Sequence, residues 1–258
     1  MNLPQGELRD FLIAKANQYA QSRFIQDDPI QVPHSFASTK DIEISGLIAA
    51  MLSWGGRKTI ISKSKDLMER MDNSPADFVT NASSVDLNSF DGFVHRTFKD
   101  EDIRGLVLAL QQLYQDYASI GEFFKQNLTP DATDLGGAFT VFKIFLLNHG
   151  LPQRASKHFG DPTKGSACKR LVMYSRWMAR PNTEGIDFGI WGIDPALLSV
   201  PLDVHSGRVA RSLGLLTRKQ NDWKAVIELD SSIRSISPED PSKLDYALFG
   251  LGVYEGWK

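Results

Sequence analysis

Apolar residues recur at helical spacing along most of the 258-residue chain, and no stretch alternates apolar and polar residues over a useful strand length. The clearest case begins at Ser38-Thr39-Lys40-Asp41, a capping signature. It continues with Ile44, Leu47, Ile48, Met51 and Leu52 at i, i+3, i+4, i+7 and i+8. Such a helix buries one face deeply, and Trp54-Gly55-Gly56 stops it. Further helices are expected over 7–25, after Gly56, from Pro75, over 106–117, briefly near 121–124, over 137–148 and over 167–179. Three more follow: from Val204 to Gly214, over 223–233, and over 242–251, the last capped by a Ser-x-x-Asp pattern. Residues 81–101 are irregular in pattern, and 181–199 read as an inserted loop with one short helical turn. The expected fold class is all-α.

Composition narrows the function classes. The chain is 42% hydrophobic and 23% charged, within the ordinary globular range. Residues 1–13 mix polar and charged residues into their apolar ones, and no run reaches about 18 apolar residues, so no signal peptide, membrane span or membrane partner is expected. A single cysteine, Cys168, excludes an internal disulfide and any multi-cysteine metal site. A cytoplasmic location follows as the expectation. The five histidines include no His-x-x-x-His pair, so no metal site is expected. Net charge is -2, but residues 140–219 hold twelve Lys/Arg against five Asp/Glu. A localised basic face of this kind suits nucleic acid.

Two stretches concentrate the chemistry. Thr163-Lys164-Gly165-Ser166-Ala167-Cys168-Lys169-Arg170 is a glycine-centred turn entering a helix, where exposed amides suit a phosphate. Lys169 falls in the first helical turn, where the helix dipole disfavours a cation, and is a candidate amine nucleophile. Val200-Pro201-Leu202-Asp203-Val204-His205 reads as extended chain entering a short helix, with Asp203 at the N-cap. The plain reading of Asp203 is a cap; beside Lys169 it is also a candidate catalytic carboxylate.

These stretches resemble the signature of the helix–hairpin–helix DNA glycosylases, in which a glycine-rich hairpin and its lysine precede a Val-Asp-x-His segment. Residues 47–53, with Lys63 beyond, resemble the matching helix of the endonuclease III branch, and 243–252 resemble the last helix of that superfamily. The resemblance touches segments from about 44 to 252 and lies closest to an uncharacterised bacterial family within the superfamily. It implies two helical subdomains flanking a cleft, approximately 41–198 and 1–40 plus 199–258. The implied activity is base excision from double-stranded DNA containing a damaged base. Lys169 would attack the sugar as a Schiff-base amine and Asp203 would assist, with strand cleavage by elimination. Gly165, Ser166 and Ala167 would grip a phosphate, with Lys164 and Arg170 beside them. His205, Arg208, Arg57 and Lys58 would lie along the DNA, and Trp54 and Trp191 would sandwich the extruded base. The insertion at 181–199 lengthens the interval between Lys169 and Asp203, as in archaeal 8-oxoguanine glycosylases, a resemblance that favours an oxidised purine. Three departures stand out. Ala167 replaces the second hairpin glycine, Gly55 replaces a gap-filling glutamine, and the cluster cysteines are missing, so no iron–sulfur cluster and no cofactor are expected. The competing expectation is a non-catalytic DNA- or RNA-binding protein that keeps the fold.

Overall fold

The computed structural model describes residues 4–257 and is predominantly helical. It divides into two compact units. The first comprises, among the described residues, 4–24, 130–136 and 161–257; the second comprises Ile25–Thr129 and Gly137–Gly160. The expected boundary placed 161–198 with the middle of the chain. The structure groups that segment with the termini instead, because buried ion pairs tie it to the C-terminal helices.

In the first unit, α1 (Gln5–Tyr19) packs on α11 (Leu244–Val253), which also packs on α9 (Val204–Ser212). α1 ends at Tyr19, short of the expected residue 25, and a 3-10 segment at Ser22–Asp27 follows. Gly250 permits the closest approach: a Cβ there would fall 2.1 Å from the Tyr19 ring. Leu12, Ala16, Val209, Ala210, Leu248 and Leu251 meet in the core with Val226 and Leu229 of α10 (Trp223–Arg234). The expected Ser242 cap is corrected. Ser242 lies in a 3-10 turn, Pro241–Lys243, whose cap is Asp240, accepting from the Lys243 amide.

Arg176 of α8 (Lys169–Ala179) and Arg180, the residue that caps its C-terminal end, fall in a basic stretch of the sequence, and the structure buries both. Arg176 pairs with Asp187 and Asp245; Arg180 pairs with Glu184, Asp187 and Asp240. Tyr246 donates its hydroxyl to Asp187 at 2.8 Å. The segment at 181–199 is therefore no surface insertion: Ile186, Asp187, Trp191 and Ile193 are buried.

In the second unit, α2 (Thr39–Leu52) has the expected Ser38 cap and is buried along nearly its whole length. α3 (Arg57–Arg70) and α4 (Pro75–Asn81) pack on it, and α5 (Asp100–Asp116) packs on α4 and α6 (Ile120–Gln126). All but the first residue of α7 (Gly136–Asn148) belongs to this unit, where Phe139, Phe142 and Phe145 join Phe123 and Phe124. Glu43, fully buried in α2, accepts the Ile120 and Gly121 amides at 3.2 and 2.8 Å. A carboxylate there satisfies the positive end of α6. The irregular stretch at 81–101 holds one feature not expected, a two-stranded hairpin of β1 (Val94–His95) and β2 (Phe98–Lys99).

Arg180 is 1% exposed and meets three carboxylates, so its removal leaves the buried Asp187 with only Arg176 and Tyr246 to offset it, and takes the partner from Asp240. Arg180→Ala is expected to lower unfolding free energy by about 3–5 kcal/mol in urea titrations. A loss under about 1 kcal/mol would show that the network adds nothing to the fold.

Candidate functional site

The first unit brings Lys169 and Asp203 together although 34 residues separate them in sequence. Lys169 Nζ lies 3.1 Å from Asp203 Oδ2, with the two side chains 38% and 22% exposed. Two helix starts make the meeting. Val200, Pro201 and Leu202 run extended and buried, as the proline predicts, and the chain then turns into α9 with Asp203 as its N-cap. Asp203 Oδ1 accepts the amides of His205 and Ser206 at 2.8 and 2.9 Å. Ser206 Oγ returns the favour, accepting from the Asp203 amide at 2.8 Å, which completes a capping box. One carboxylate oxygen thus closes the helix while the other faces the lysine.

The lysine is delivered by a tight hairpin. Asp161 accepts from the amide and hydroxyl of Thr163, and Gly165 takes a left-handed conformation at φ 81°. Cys168, buried and also left-handed at φ 49°, makes the last turn before Lys169 opens α8. An antiparallel bridge between Ser166 and Asp222, with the Trp223 amide donating to the Gly165 carbonyl at 3.2 Å, ties the hairpin to the start of α10. The hairpin amides are largely used internally: Gly165 donates to Pro162, Ser166 to Asp161, and Cys168 to Ser166 Oγ. Of the three residues expected to grip a phosphate, only Ala167 has no amide bond within the described hairpin.

Electrostatics favour an ionised Asp203. Burial raises its carboxyl, but the Lys169 ammonium and the amides of Ser206 and His205 outweigh that, and the net shift is downward. Asp245, ion-paired with Arg176, feels the charges of both Asp203 and Lys169; burial still lifts its carboxyl to about 6. Asp230 anchors the strand before Asp203, accepting from Ser199 Oγ at 2.6 Å and from the Val200 amide at 3.4 Å. Burial raises Asp230 to about 7. Asn221 donates to the Asp203 carbonyl at 2.8 Å.

The other expected residues scatter. Lys164, His205 and Arg208 are exposed on the first unit. Arg170 is half-buried, and burial lowers its guanidinium to about 10. Trp191 is 1% exposed and packs edge to face on Tyr174, so the expected base-stacking face is corrected to a core side chain. Trp54, Arg57 and Lys58 belong to the second unit. There Arg57, Lys58 and Lys65 line an open groove that also holds Asp27, Asp66 and Glu69. Among the described residues no helix is long and apolar enough to cross a membrane, and no group of three His, Cys, Asp or Glu could hold a metal ion. Sequence reasoning missed Asp230 and Asp245. The signal for Asp230 was an acid among Val226, Leu229 and Ile233 on the apolar face of α10.

Over residues 28–254 the chain matches the family described as "Protein of unknown function (DUF2400)", and it belongs to that family. No curated protein and no solved structure matches it. The resemblance to the helix–hairpin–helix glycosylases is thereby corrected: the family match covers most of the chain and carries no link to that superfamily. A glycine turn feeding a helix, and an aspartate capping one, recur wherever chains make those turns. Short motifs of that kind overstated the kinship.

Asp203→Ala removes both duties of the carboxylate and is expected to cost about 1 kcal/mol, most of it the lost cap. Asp203→Asn keeps a good cap and is expected to cost clearly less by thermal unfolding. Because the native carboxyl lies below its ordinary 3.8, its contribution is present above that pH and fades as pH falls through the lowered value. The gap between wild type and Asp203→Ala should therefore close in strong acid; a gap independent of pH would remove the carboxylate from the account.

Proposed function

We propose that the chain acts on DNA, excising a damaged base through Lys169 as an amine nucleophile with Asp203 as its partner. One observation carries the reading: an ammonium and an ionised carboxylate 3.1 Å apart, part-exposed, each fixed by a helix start. A surface pair of this kind contributes about 0–1 kcal/mol to stability, so the fold has little need of it. Lys164 and Arg208, exposed on the same unit, supply cations for a polyanion.

The chemistry proceeds as follows. The ammonium first gives up a proton to solvent. The Nζ lone pair then forms a bond to C1′ of the deoxyribose while the C1′–N glycosidic electrons leave with the base, which takes up a proton. Asp203 Oδ2, held ionised, faces the positive charge that grows on the sugar. Nζ then loses a proton, the C1′–O4′ bond opens, O4′ is protonated, and a protonated imine joins lysine to sugar. Loss of a C2′ proton expels the 3′ phosphate and cuts the strand. On an abasic sugar, which already carries an aldehyde, the same imine forms with loss of water. Extruding a base costs a few kcal/mol, least where it is damaged or mispaired, which favours a lesion as substrate. An oxidised purine is the class proposed.

The second reading, a nucleic-acid binder without catalysis, draws on the same ion pair. The pair also leaves a part-exposed cation beside a hairpin, which suits contact with a phosphate without bond-making.

Borohydride reduction during incubation with abasic and 8-oxoguanine duplexes separates the two. Wild type is expected to give a covalent adduct, Lys169→Ala none, and Asp203→Asn base release reduced about 10²-fold or more. Salt-steep DNA binding with neither adduct nor base release would leave the non-catalytic reading standing. Base release unchanged in Asp203→Asn would overturn the role given to the carboxylate.

A further inference from the structure

A second feature, on the unit formed by Ile25–Thr129 and Gly137–Gly160, is built to display an aromatic ring and a guanidinium together. Trp54, in the connection between α2 and α3, is 49% exposed. Arg96 sits at the tip of the β1–β2 hairpin, where the pairing of His95 with Phe98 leaves Arg96 and Thr97 as a two-residue turn. Its backbone is left-handed at φ 54°, an uncommon state for a residue with a side chain. The guanidinium carbon lies 5.3 Å from the centre of the Trp54 ring.

Two further residues fix this arrangement. His95 is buried against the carbonyls of Leu52 and Trp54, which docks the hairpin tip under the connection. Gly55, at φ 121°, leaves the space the arginine occupies: a Cβ there would fall 2.5 Å from Arg96 Nη2 and 2.7 Å from Nε. Among the described residues no hydrogen bond or ion pair engages the Arg96 guanidinium, so its five donors remain unspent beside a half-open indole. The groove on the same unit is no substitute cation site, because Asp27, Asp66 and Glu69 line it together with Arg57, Lys58 and Lys65.

We propose that Trp54 and Arg96 form a contact site for an unstacked nucleotide of a DNA strand, the indole taking the base face and the guanidinium its phosphate. The guanidinium lies over the indole ring, and a π-surface joined to a planar cation complements a flat base with an anion beside it. The inference rests on the chain binding DNA, not on Lys169 being a nucleophile.

The test is fluorescence anisotropy with a short labelled oligothymidylate and with the matching duplex, using the full chain. Trp54→Ala and Arg96→Ala are each expected to weaken single-strand binding by about 5- to 50-fold, the range of one lost stacking contact. Trp54→Phe should fall between wild type and Trp54→Ala. Arg96→Lys should bind more weakly than wild type, because it keeps the charge and loses the plane. Both conservative variants keep the test open should either alanine variant unfold. Unchanged affinity across these variants would overturn the site, as would tighter binding to RNA of the same length. Failure of the Lys169 chemistry has a different signature: no borohydride adduct with wild type, whatever the Trp54 variants do.

Discussion

Asp203 serves two structures at once, with Oδ1 accepting the first amides of α9 and Oδ2 meeting Lys169 Nζ at 3.1 Å. The geometry of the candidate site depends on that division. A carboxylate bound to helix amides cannot swing away, so its second oxygen is held in one direction. The same amides, with the lysine, offset the cost of burying the charge and keep the group ionised at neutral pH.

The elements behind the pair explain why it can be held so firmly. Extended chain at 200–202 is anchored by Asp230, and the hairpin at 161–168 is bridged to Asp222 at the start of α10. α8 is fixed at its C-terminal end by Arg176 and Arg180, whose charges are met by Asp187, Asp240 and Asp245. Such buried pairs often add little net stability over an apolar core, but they penalise alternative packings that would leave a charge unpaired. Here they join α8 to the C-terminal helices, which is the arrangement Lys169 and Asp203 require. The acids raised by burial, Asp230 near 7 and Asp245 near 6, are ionised at a cost as pH rises from the ordinary carboxylate range.

Much of this was legible from residues. Helical periodicity placed nearly every helix, the Ser38 cap was correct, and the extended entry to Asp203 followed from Pro201. Local rules did less well wherever the outcome turned on distant partners. Arg176 and Arg180 counted toward a localised basic face because the acids Asp240 and Asp245 that help bury them lie far along the chain. Trp191 read as a base-stacking ring because an irregular segment gives no period from which to infer burial. The family-level resemblance failed for a related reason: turn and cap motifs report local backbone geometry, and that geometry is shared by unrelated chains. Arg96 carried no signal at all, since its place beside Trp54 depends on a two-residue turn in a stretch without pattern.

The most direct measurement is peptide mapping by mass spectrometry of the borohydride-reduced adduct between the full chain and an abasic oligonucleotide. One modified peptide is expected, carrying the reduced sugar on Lys169, even though Lys164 is more exposed and lies in the same hairpin. An adduct spread over exposed lysines, or centred on Lys164, would mean that accessibility alone selects the amine. That result would contradict a nucleophile held in place by Asp203.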